Sequence, residues 1–252
     1  MSGCKPLGRC LGKLSGQSAL VALAVAVCCG QPARATAPET DVSRLVQSLD
    51  DANLRYGASL ALVRLGDQAV PALRKSLAST SLDQRVWSAF TLGEIGPAAA
   101  ASAKDLTALL ESSDAALRAA AAEALGKLGA ASPASVGALA VRLSDDDIDV
   151  RQHAAVALGQ IGPPAHRSAE QLVQSLSDSR TRRVAREALI RIGPSASPAV
   201  VAALSKDELR FDAVMVLRQA DPAAARQAGV DRPGVDGPHG RAGVPPRPSR
   251  GG

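Results

Sequence analysis

Aromatic residues are scarce in this chain of 252 residues, which contains one tryptophan, one tyrosine and two phenylalanines. Each aromatic side chain buries a large area, and an ordinary globular core of this size would use more of them. Alanine, leucine and valine dominate instead. Helices that pack closely through alanine and glycine need no aromatic bulk, so the composition favours stacked helices over a mixed core.

Cysteine is absent after residue 29, because Cys4, Cys10, Cys28 and Cys29 are the only four in the chain. If the leading segment is removed, the remaining protein has no disulfide, no thiol nucleophile and no thiolate metal ligand. Catalysis by cysteine and a cysteine-bound metal are therefore excluded for the processed chain.

Excess positive charge is also missing from the central region, although the whole chain has a formal charge of +5. Of 29 basic residues, four precede Thr36 and five follow Ala220, and three of 24 acidic residues follow Ala220. The central region therefore holds 20 basic and 21 acidic residues. Nucleic-acid binding relies on a net basic surface, so no nucleic-acid partner is expected.

Residues 1–35 are predicted to be an export signal. Lys5, Arg9 and Lys13 precede a mostly apolar stretch over 18–30, and Ala33-Arg34-Ala35 offers a cleavage site before Thr36. We therefore expect an exported protein, periplasmic or extracellular.

Two alternatives for the leader stay open. No charge interrupts residues 14–33, so an uncleaved membrane anchor is possible. A lipoprotein attached through Cys28 or Cys29 is the other alternative. Contact with a membrane is expected only if the leader is retained or lipidated.

A repeated motif organises the rest of the chain. Five copies end in Leu-Gly or Ile-Gly, and each has an arginine eleven residues before its glycine. The arginine–glycine pairs are Arg55–Gly66, Arg85–Gly96, Arg118–Gly129, Arg151–Gly162 and Arg182–Gly193. A degraded sixth copy starts at Arg210. A period near 32 residues indicates stacked supersecondary units.

Each motif predicts a helix, called B here, whose positions are counted from its arginine. Positions +3, +7 and +10 are apolar or small in nearly all copies and lie on one helical face. Position +7 is leucine throughout: Leu62, Leu92, Leu125, Leu158, Leu189 and Leu217. Small residues at +6, and Gly93, Gly126 and Gly159 at +8, predict close approach of a neighbouring helix.

The ends of the B helices are also marked. Asp51, Asp114, Asp147 and Asp178 lie four residues before the arginine, where a carboxylate can cap free N–H groups. The closing glycine can adopt the left-handed conformation that ends a helix. Proline follows it in three copies.

A shorter helix, called A, precedes each B helix and carries apolar residues at i and i+4, such as Leu139 and Leu143. Neither helix can bury its apolar face alone, so the pairs must stack. The sequence predicts an all-α, right-handed solenoid of six helix pairs over 38–220. Residues 221–252 become rich in Pro, Gly and Arg and are predicted to be disordered.

The segments Asp149-Val150-Arg151, Ala157-Leu158-Gly159 and Ile161-Gly162 resemble the HEAT repeat, in the short form found in phycobilisome-lyase-like proteins. The resemblance covers about residues 38–220 and implies an α-solenoid. It implies little about activity, because unrelated functions share this scaffold.

Two enzymatic relatives can be compared residue by residue. Deoxyhypusine hydroxylases resemble this architecture and hold a di-iron centre on His-Glu dipeptides, but His153, His166 and His239 are followed by Ala, Arg and Gly. Bilin lyases act on cysteine-linked pigments inside the cell, which fits an exported chain poorly. We therefore expect no cofactor and no metal, with a lyase-like enzyme or subunit as the alternative.

Four residues are candidates for binding a partner: Trp87, His153, Arg183 and Arg186. Trp87 could anchor a peptide on the concave B-helix surface or fill a gap between repeats, as Phe90 does in the favoured interpretation. His153 lacks the further ligands that a metal site needs and is interpreted as a surface or packing residue.

Recurring Asp and Arg residues predict a ladder of ion pairs between repeats rather than a ligand site. Stacking is expected to bring Asp145, Asp146, Asp147 and Asp149 next to Arg180, Arg182, Arg183 and Arg186.

The sequence therefore predicts a non-catalytic, exported scaffold that binds another protein or peptide through its concave B-helix surface. A capping or assembly element of an envelope complex is a further structural alternative.

Overall fold

The computed structural model describes residues 38–231, and thirteen α-helices lie within that range. The predicted export signal and the tail from residue 232 lie outside the described residues. The helices are α1 Pro38–Gln47, α2 Arg55–Leu65, α3 Val70–Ser76, α4 Leu82–Ile95, α5 Ala103–Leu109, α6 Ala115–Leu128, α7 Pro133–Arg142, α8 Ile148–Ile161, α9 Ala169–Ser175, α10 Arg182–Ile192, α11 Ser197–Ala203, α12 Asp207–Ala220 and α13 Pro222–Gln227.

The first twelve helices form six A–B pairs in which the even-numbered helices are the B helices. Each B helix packs against the B helix of the next pair. No strand occurs between residues 38 and 231. The prediction of an all-α stack of about six helix pairs is confirmed. No helix in this range is both long and apolar enough to cross a bilayer.

Leucine side chains from both sides of the first five pairs fill the core, and in the sixth pair Val200 takes the place of the A-side leucine. The six leucines at +7 of the B helices are fully buried, as are Leu49, Leu73, Leu106, Leu139 and Leu172 on the A side. Full burial of one such side chain contributes about 1.5–3 kcal/mol. Since these residues recur once per repeat, the core is one continuous cluster rather than a central ball.

Glycine at +8 allows adjacent B helices to approach closely, as predicted. A Cβ atom built on Gly126 would lie 2.7 Å from Ala157 Cα, and one on Gly159 would lie 2.8 Å from Ala188 Cα. The corresponding distance from Gly93 to Ala124 Cα is 2.9 Å. All three are too short for real Cβ contacts, so the helices pack backbone against backbone at these points.

Two of the four predicted aspartate caps are present. Asp114 accepts a hydrogen bond from Leu117 N at 3.0 Å, and Asp147 accepts bonds from Asp149 N and Val150 N. Ser81, which the aspartate pattern missed, occupies the same position in the second repeat and caps α4.

The other two predicted caps are wrong. Asp51 and Asp178 bond the N–H two residues ahead, at Asn53 and Arg180, and their helices begin only at the repeat arginine. Aspartate can bond its own local backbone in this way, which competes with helix capping.

The glycines that end the B helices all have positive φ, but in two forms. Gly129 has the left-handed conformation, with φ 65° and ψ 38°. Gly162 has φ 75° and ψ −141°, and Gly66, Gly96 and Gly193 are similar. This second region is essentially restricted to glycine.

The connection after Gly129 differs from the others. After Gly66, Gly96, Gly162 and Gly193, a 3-10 turn follows and an alanine three residues after the glycine is buried. Ser132 occupies that position after Gly129 and instead caps α7 by accepting from Ser135 N. Helix α7 is therefore longer than the A helices that follow it.

The predicted start of the disordered tail at residue 221 is wrong. Helix α13 spans Pro222–Gln227 and packs on α12. Ala225 and Val230 are buried, and Asp221 caps α13 by accepting from Ala224 N at 3.0 Å. Two buried apolar side chains and a cap order this segment, whose apolar residues are mostly alanine.

Candidate interaction surface

The exposed side of the B helices is formed by positions +1, +5 and +9, which lie one helical turn apart. We call this surface the B-face. None of its residues is fully buried. They are Tyr56, Leu60, Arg64, Val86, Phe90, Glu94, Ala119, Glu123, Lys127, Gln152, Val156, Gln160, Arg183, Glu187, Arg191, Phe211, Met215 and Gln219.

The first two repeats give the B-face an apolar, aromatic patch. Tyr56 and Leu60 are exposed, and the partly buried Phe90 meets Trp87 edge to face with ring centroids 5.4 Å apart. Trp87, at position +2, also packs against the core. The aromatic patch is defined as Tyr56, Leu60, Trp87 and Phe90.

Two cations hold the rings of the aromatic patch. The Arg55 guanidinium lies 5.8 Å from the centre of the Trp87 ring, and Lys127 Nζ lies 5.2 Å from that of Phe90. Such cation–π contacts contribute about 0.5–1 kcal/mol at exposed sites. The rings are therefore fixed from the first and third repeats, on either side of α4.

Lys127 connects the aromatic patch to a polar centre. Its Nζ lies 2.5 Å from both Glu94 and Glu123. Burial alone would lower the pKa of Lys127, but the hydrogen bonds to these two carboxylates outweigh it and raise the pKa. Lys127 therefore stays charged and fixed.

His153 belongs to the same polar centre. Its Nδ1 lies 2.7 Å from the Asp149 carbonyl oxygen, and its Nε2 lies 3.7 Å from Glu123. No group of three His, Cys, Asp or Glu residues able to hold a metal occurs among residues 38–231. The structure thus places His153, at position +2, at the border of the B-face and next to a carboxylate.

Arg183 and Arg186 lie in the fifth repeat but have different surroundings. Arg183 is largely exposed, with Glu187 at 3.7 Å, and borders a cleft of about 180 Å³ between α8 and α10. Val156, Gln160 and Arg191 also line that cleft. Arg186 lies 3.1 Å from the buried Asp212 of the next repeat. This ion pair joins the fifth repeat to the sixth, so Arg186 stabilises the stack, which the sequence pattern did not reveal.

The repeat arginine ties the A helix of its own pair to the B helix. Each of the five donates to a carbonyl at or just after the end of the preceding A helix, as Arg151 does to Asp145 O at 2.7 Å and Arg182 to Leu176 O at 2.8 Å. Arg55, Arg85 and Arg118 make the equivalent bonds to Asp50, Leu77 and Ser112. These bonds satisfy carbonyls that a helix end leaves free.

A ladder of ion pairs joins consecutive repeats, but not through the predicted partners. Arg55 pairs with Asp83, Arg118 with Asp145, Arg151 with Asp178, and Arg182 and Arg186 with Asp212. Asp145 thus pairs backward with the third repeat, and Asp147 is a helix cap. The predicted pairing of the 145–149 aspartates with the 180–186 arginines is wrong, because the arginines named above each meet an aspartate of the repeat after their own.

A second groove lies on the A-helix side and was not predicted. It has a volume of about 740 Å³ and runs between α7 and the turn before α9. Pro133, Val136, Val141 and Pro164 form apolar walls, and Arg167 lies at its rim. The sequence signal for it is the altered connection at 129–132, which changes how α7 begins.

Comparison with known families gives two matches. The family model for HEAT repeats matches residues 103–190 and 136–218. The model for the PBS lyase HEAT-like repeat matches residues 54–79. No curated protein matches the chain.

Solved structures share the fold. An engineered protein is 24% identical over 76% of this chain and 94% of its own, with a TM-score of 0.52. A chain from the complex of CpcE and CpcF of phycocyanin lyase from Nostoc sp. PCC7120 is 22% identical, with a TM-score of 0.51. That match covers 59% of this chain and 98% of the other.

Proposed function

We propose that this chain, which belongs to the HEAT-repeat family, is a non-catalytic, exported scaffold that binds another protein along its B-face. In this proposal the B-face is the concave side of the stack. The observation that carries the proposal is the aromatic patch, where Tyr56 and Leu60 are exposed beside the Trp87–Phe90 pair.

The aromatic patch has the properties of a protein-binding anchor. Aromatic side chains with few rotatable bonds are enriched where binding energy concentrates. Arg55 and Lys127 hold the rings from adjacent repeats, so little conformational entropy is lost when a partner binds. An apolar segment of the partner is expected to cover Tyr56 and Phe90.

The rest of the B-face supplies polar contacts. The Glu94–Lys127–Glu123 cluster and His153 follow the aromatic patch, and Arg183 and Glu187 lie one repeat further on. We infer that these groups select the partner and set its register, since exposed charges affect specificity and association rate more than affinity. Arg186 is left out of the binding surface because it pairs with Asp212.

Photo-crosslinking in the native cells tests the proposal. A benzophenone amino acid is placed at Tyr56 or Val156 on the B-face, and at Val141 or Val201 on the A helices as matched exposed controls. The proposal expects one common adduct from both B-face positions, absent from the controls. Adding Phe90→Asp or Arg183→Ala to the Tyr56 probe should reduce that adduct.

Two results would count against binding at the B-face. One is equal crosslinking from Val141 and Val201. The other is an adduct that persists undiminished when Phe90→Asp and Arg183→Ala are combined in a chain with unchanged circular dichroism.

The second candidate is a lyase-related enzyme or enzyme subunit, favoured by the match of residues 54–79 to the PBS lyase HEAT-like repeat. It predicts that the protein isolated from its own cells carries a bound pigment or a metal. A visible absorption spectrum and elemental analysis of that material discriminate between the two candidates. A colourless, metal-free sample would rule out the lyase-related candidate.

A further inference from the structure

The first B helix exposes a leucine at a position that is buried in the third to sixth repeats and partly buried, at Gln84, in the second. Leu54 immediately precedes the repeat arginine and is 53% exposed. Its equivalents Leu117, Val150, Thr181 and Leu209 are all at most 2% exposed. Leu54 is thus a large apolar side chain that nothing in the described chain covers.

The same face of α2 carries two further residues that are more exposed than their equivalents in later repeats. Gly57 at +2 is exposed, whereas Ala120, Val184 and Asp212 are buried and Trp87 and His153 are partly buried. Ala61 at +6 is partly exposed, whereas every later residue at +6 is buried. Positions −1, +2 and +6 share one helical face. We call Leu54, Gly57 and Ala61 the end face.

The interior of the molecule shows what covers this face elsewhere. In the third, fourth and fifth repeats the residue at +6 lies against the glycine of the preceding B helix, as Ala157 does against Gly126. The end face is therefore the free half of the interface that joins the repeats. A helix that approaches its backbone closely fits it, and Gly57 has open space around it.

The opposite end of the stack is closed. Helix α13 packs on α12, Ala225 and Val230 are buried, and Arg218 Nε donates to Val230 O at 2.8 Å. A copy of this chain thus offers no free B-helix face at its C-terminal end, so head-to-tail stacking is blocked. The surface of a second copy that can cover the end face is therefore the end face of that second copy.

Charge complementarity supports an antiparallel contact between two α2 helices. Asp51 precedes α2 and Arg64 lies in its last turn, and neither has an ion-pair partner among the described residues. Antiparallel packing brings the Asp51 end of one helix toward the Arg64 end of the other. The two small residues, Gly57 and Ala61, lie between these ends and permit a short interhelical distance.

We propose that the chain forms a twofold homodimer through the end face, with α2 antiparallel to α2 of the second copy. A twofold contact of this kind uses the same surface on both subunits and limits the assembly to two chains. The proposal is independent of the aromatic patch, because the end face and the aromatic patch share no residue. Arg64 also belongs to the B-face, so it is the Leu54→Asp variant, which leaves the B-face unchanged, that separates the dimer from the proposed function.

Sedimentation equilibrium and light scattering of the chain and its variants test the dimer. Leu54→Asp places a charge on the end face and is expected to raise the dimer dissociation constant at least about tenfold. Leu82→Asp and Val141→Asp change exposed apolar residues elsewhere and should leave the constant unchanged. Circular dichroism confirms that each variant is folded.

A charge swap gives a second readout. Arg64→Asp should weaken the dimer, and Asp51→Arg combined with Arg64→Asp should restore it. The proposal is overturned if the chain is monomeric at every attainable concentration, which would leave the end face to another partner or to residues 1–37. It is equally overturned if a dimer forms but is unaffected by Leu54→Asp.

Discussion

Arg118 and Asp145 form a two-point ion pair that joins the third repeat to the fourth. Arg118 Nη2 lies 2.6 Å from Asp145 Oδ1, and Arg118 Nε lies 2.9 Å from Oδ2. Both side chains are largely buried. Asp145 also accepts a bond from Asp147 N at 3.1 Å, next to the cap of α8. The pair therefore fixes the start of one B helix against the arginine of another.

Replacing Asp145 with Asn should lower the free energy of unfolding by about 2–4 kcal/mol, because it leaves a largely buried guanidinium without its carboxylate. Urea unfolding measures the change. Asp105→Asn is the matched control, since Asp105 pairs with Arg74 at 2.6 Å but both side chains are exposed. The control should cost less than about 1 kcal/mol. Equal losses in the two variants would show that burial does not decide the strength of these pairs.

Stability is expected to fall in acid, partly through Asp145. Burial alone would raise the pKa of Asp145, but the hydrogen bonds from Arg118 and Asp147 N outweigh it and lower the pKa. Because the unfolded chain then binds the proton more readily, ionised Asp145 contributes its full stabilisation of the folded state above about pH 5. This stabilisation is lost as the pH falls below the unfolded value of about 3.9 and through the lower folded value.

Urea unfolding of the native chain and Asp145→Asn across this range measures the contribution. The difference in unfolding free energy between them should shrink as the pH falls. A difference that stayed constant with pH would mean that Asp145 does not titrate differently in the two states. Asp178 and Asp221, whose pKa values are also lowered by hydrogen bonds from backbone N–H groups, change stability in the same direction in both proteins.

Gly126 and Gly137 are expected to respond to alanine with opposite sign. Both lie inside helices, but a Cβ on Gly126 would meet Ala157 Cα at 2.7 Å, whereas one on Gly137 has nothing within 4 Å. Gly126→Ala should destabilise by about 1–3 kcal/mol through overpacking. Gly137→Ala should stabilise by about 0.5–1 kcal/mol through helix propensity. Thermal unfolding of both variants checks the signs, and a neutral Gly126→Ala would contradict the close approach of α6 and α8.

Asparagine should distinguish the two kinds of helix-ending glycine. Gly129 is left-handed, a conformation that asparagine tolerates, so Gly129→Asn should cost less than about 1 kcal/mol. Gly162 has a positive φ with ψ −141°, so Gly162→Asn should cost about 1–3 kcal/mol. Chemical denaturation of the two variants gives the comparison. Similar costs at both sites would show that ψ makes no difference here.

The repeat register could be predicted from the sequence, because the repeat arginine and the glycine eleven residues later each act on the nearby backbone. Arg151 ties down the end of its A helix, and Gly162 turns the chain out of α8. The leucine at +7, such as Leu158, adds the buried stripe. Local chemistry of this kind repeats with the motif and can be identified without coordinates.

The contacts between repeats could not be predicted from the same pattern. Asp83, Asp145, Asp178 and Asp212 all receive arginines from the preceding repeat, yet they lie at different offsets from their own repeat arginine. Spacing along the chain does not specify which of several nearby carboxylates reaches across. The buried state of Asp145 rather than Asp146 depends on packing alone.

The candidate surface was predicted only in part. Arg183 lies on the B-face, and Trp87 and His153 border it at +2, where each contacts a residue of the preceding repeat. The Lys127–Phe90 contact and the Arg186–Asp212 pair each join residues more than twenty positions apart. Helix α13 was missed because two buried residues, Ala225 and Val230, are too few to produce a periodic signal.

The direction of the ion-pair ladder decides which contacts a truncation leaves behind. If the fourth repeat were deleted together with everything after it, Arg118 would lose its carboxylate partner but still hold the carbonyl oxygens of Ser112 and Ser113. If the deletion instead removed everything through the third repeat, Asp145 would lose both of its Arg118 contacts and retain Arg142 at 3.2 Å and the Asp147 N–H at 3.1 Å. In shortened forms of this protein, the surviving member of the severed pair should consequently stay held within its own repeat, whichever end is lost.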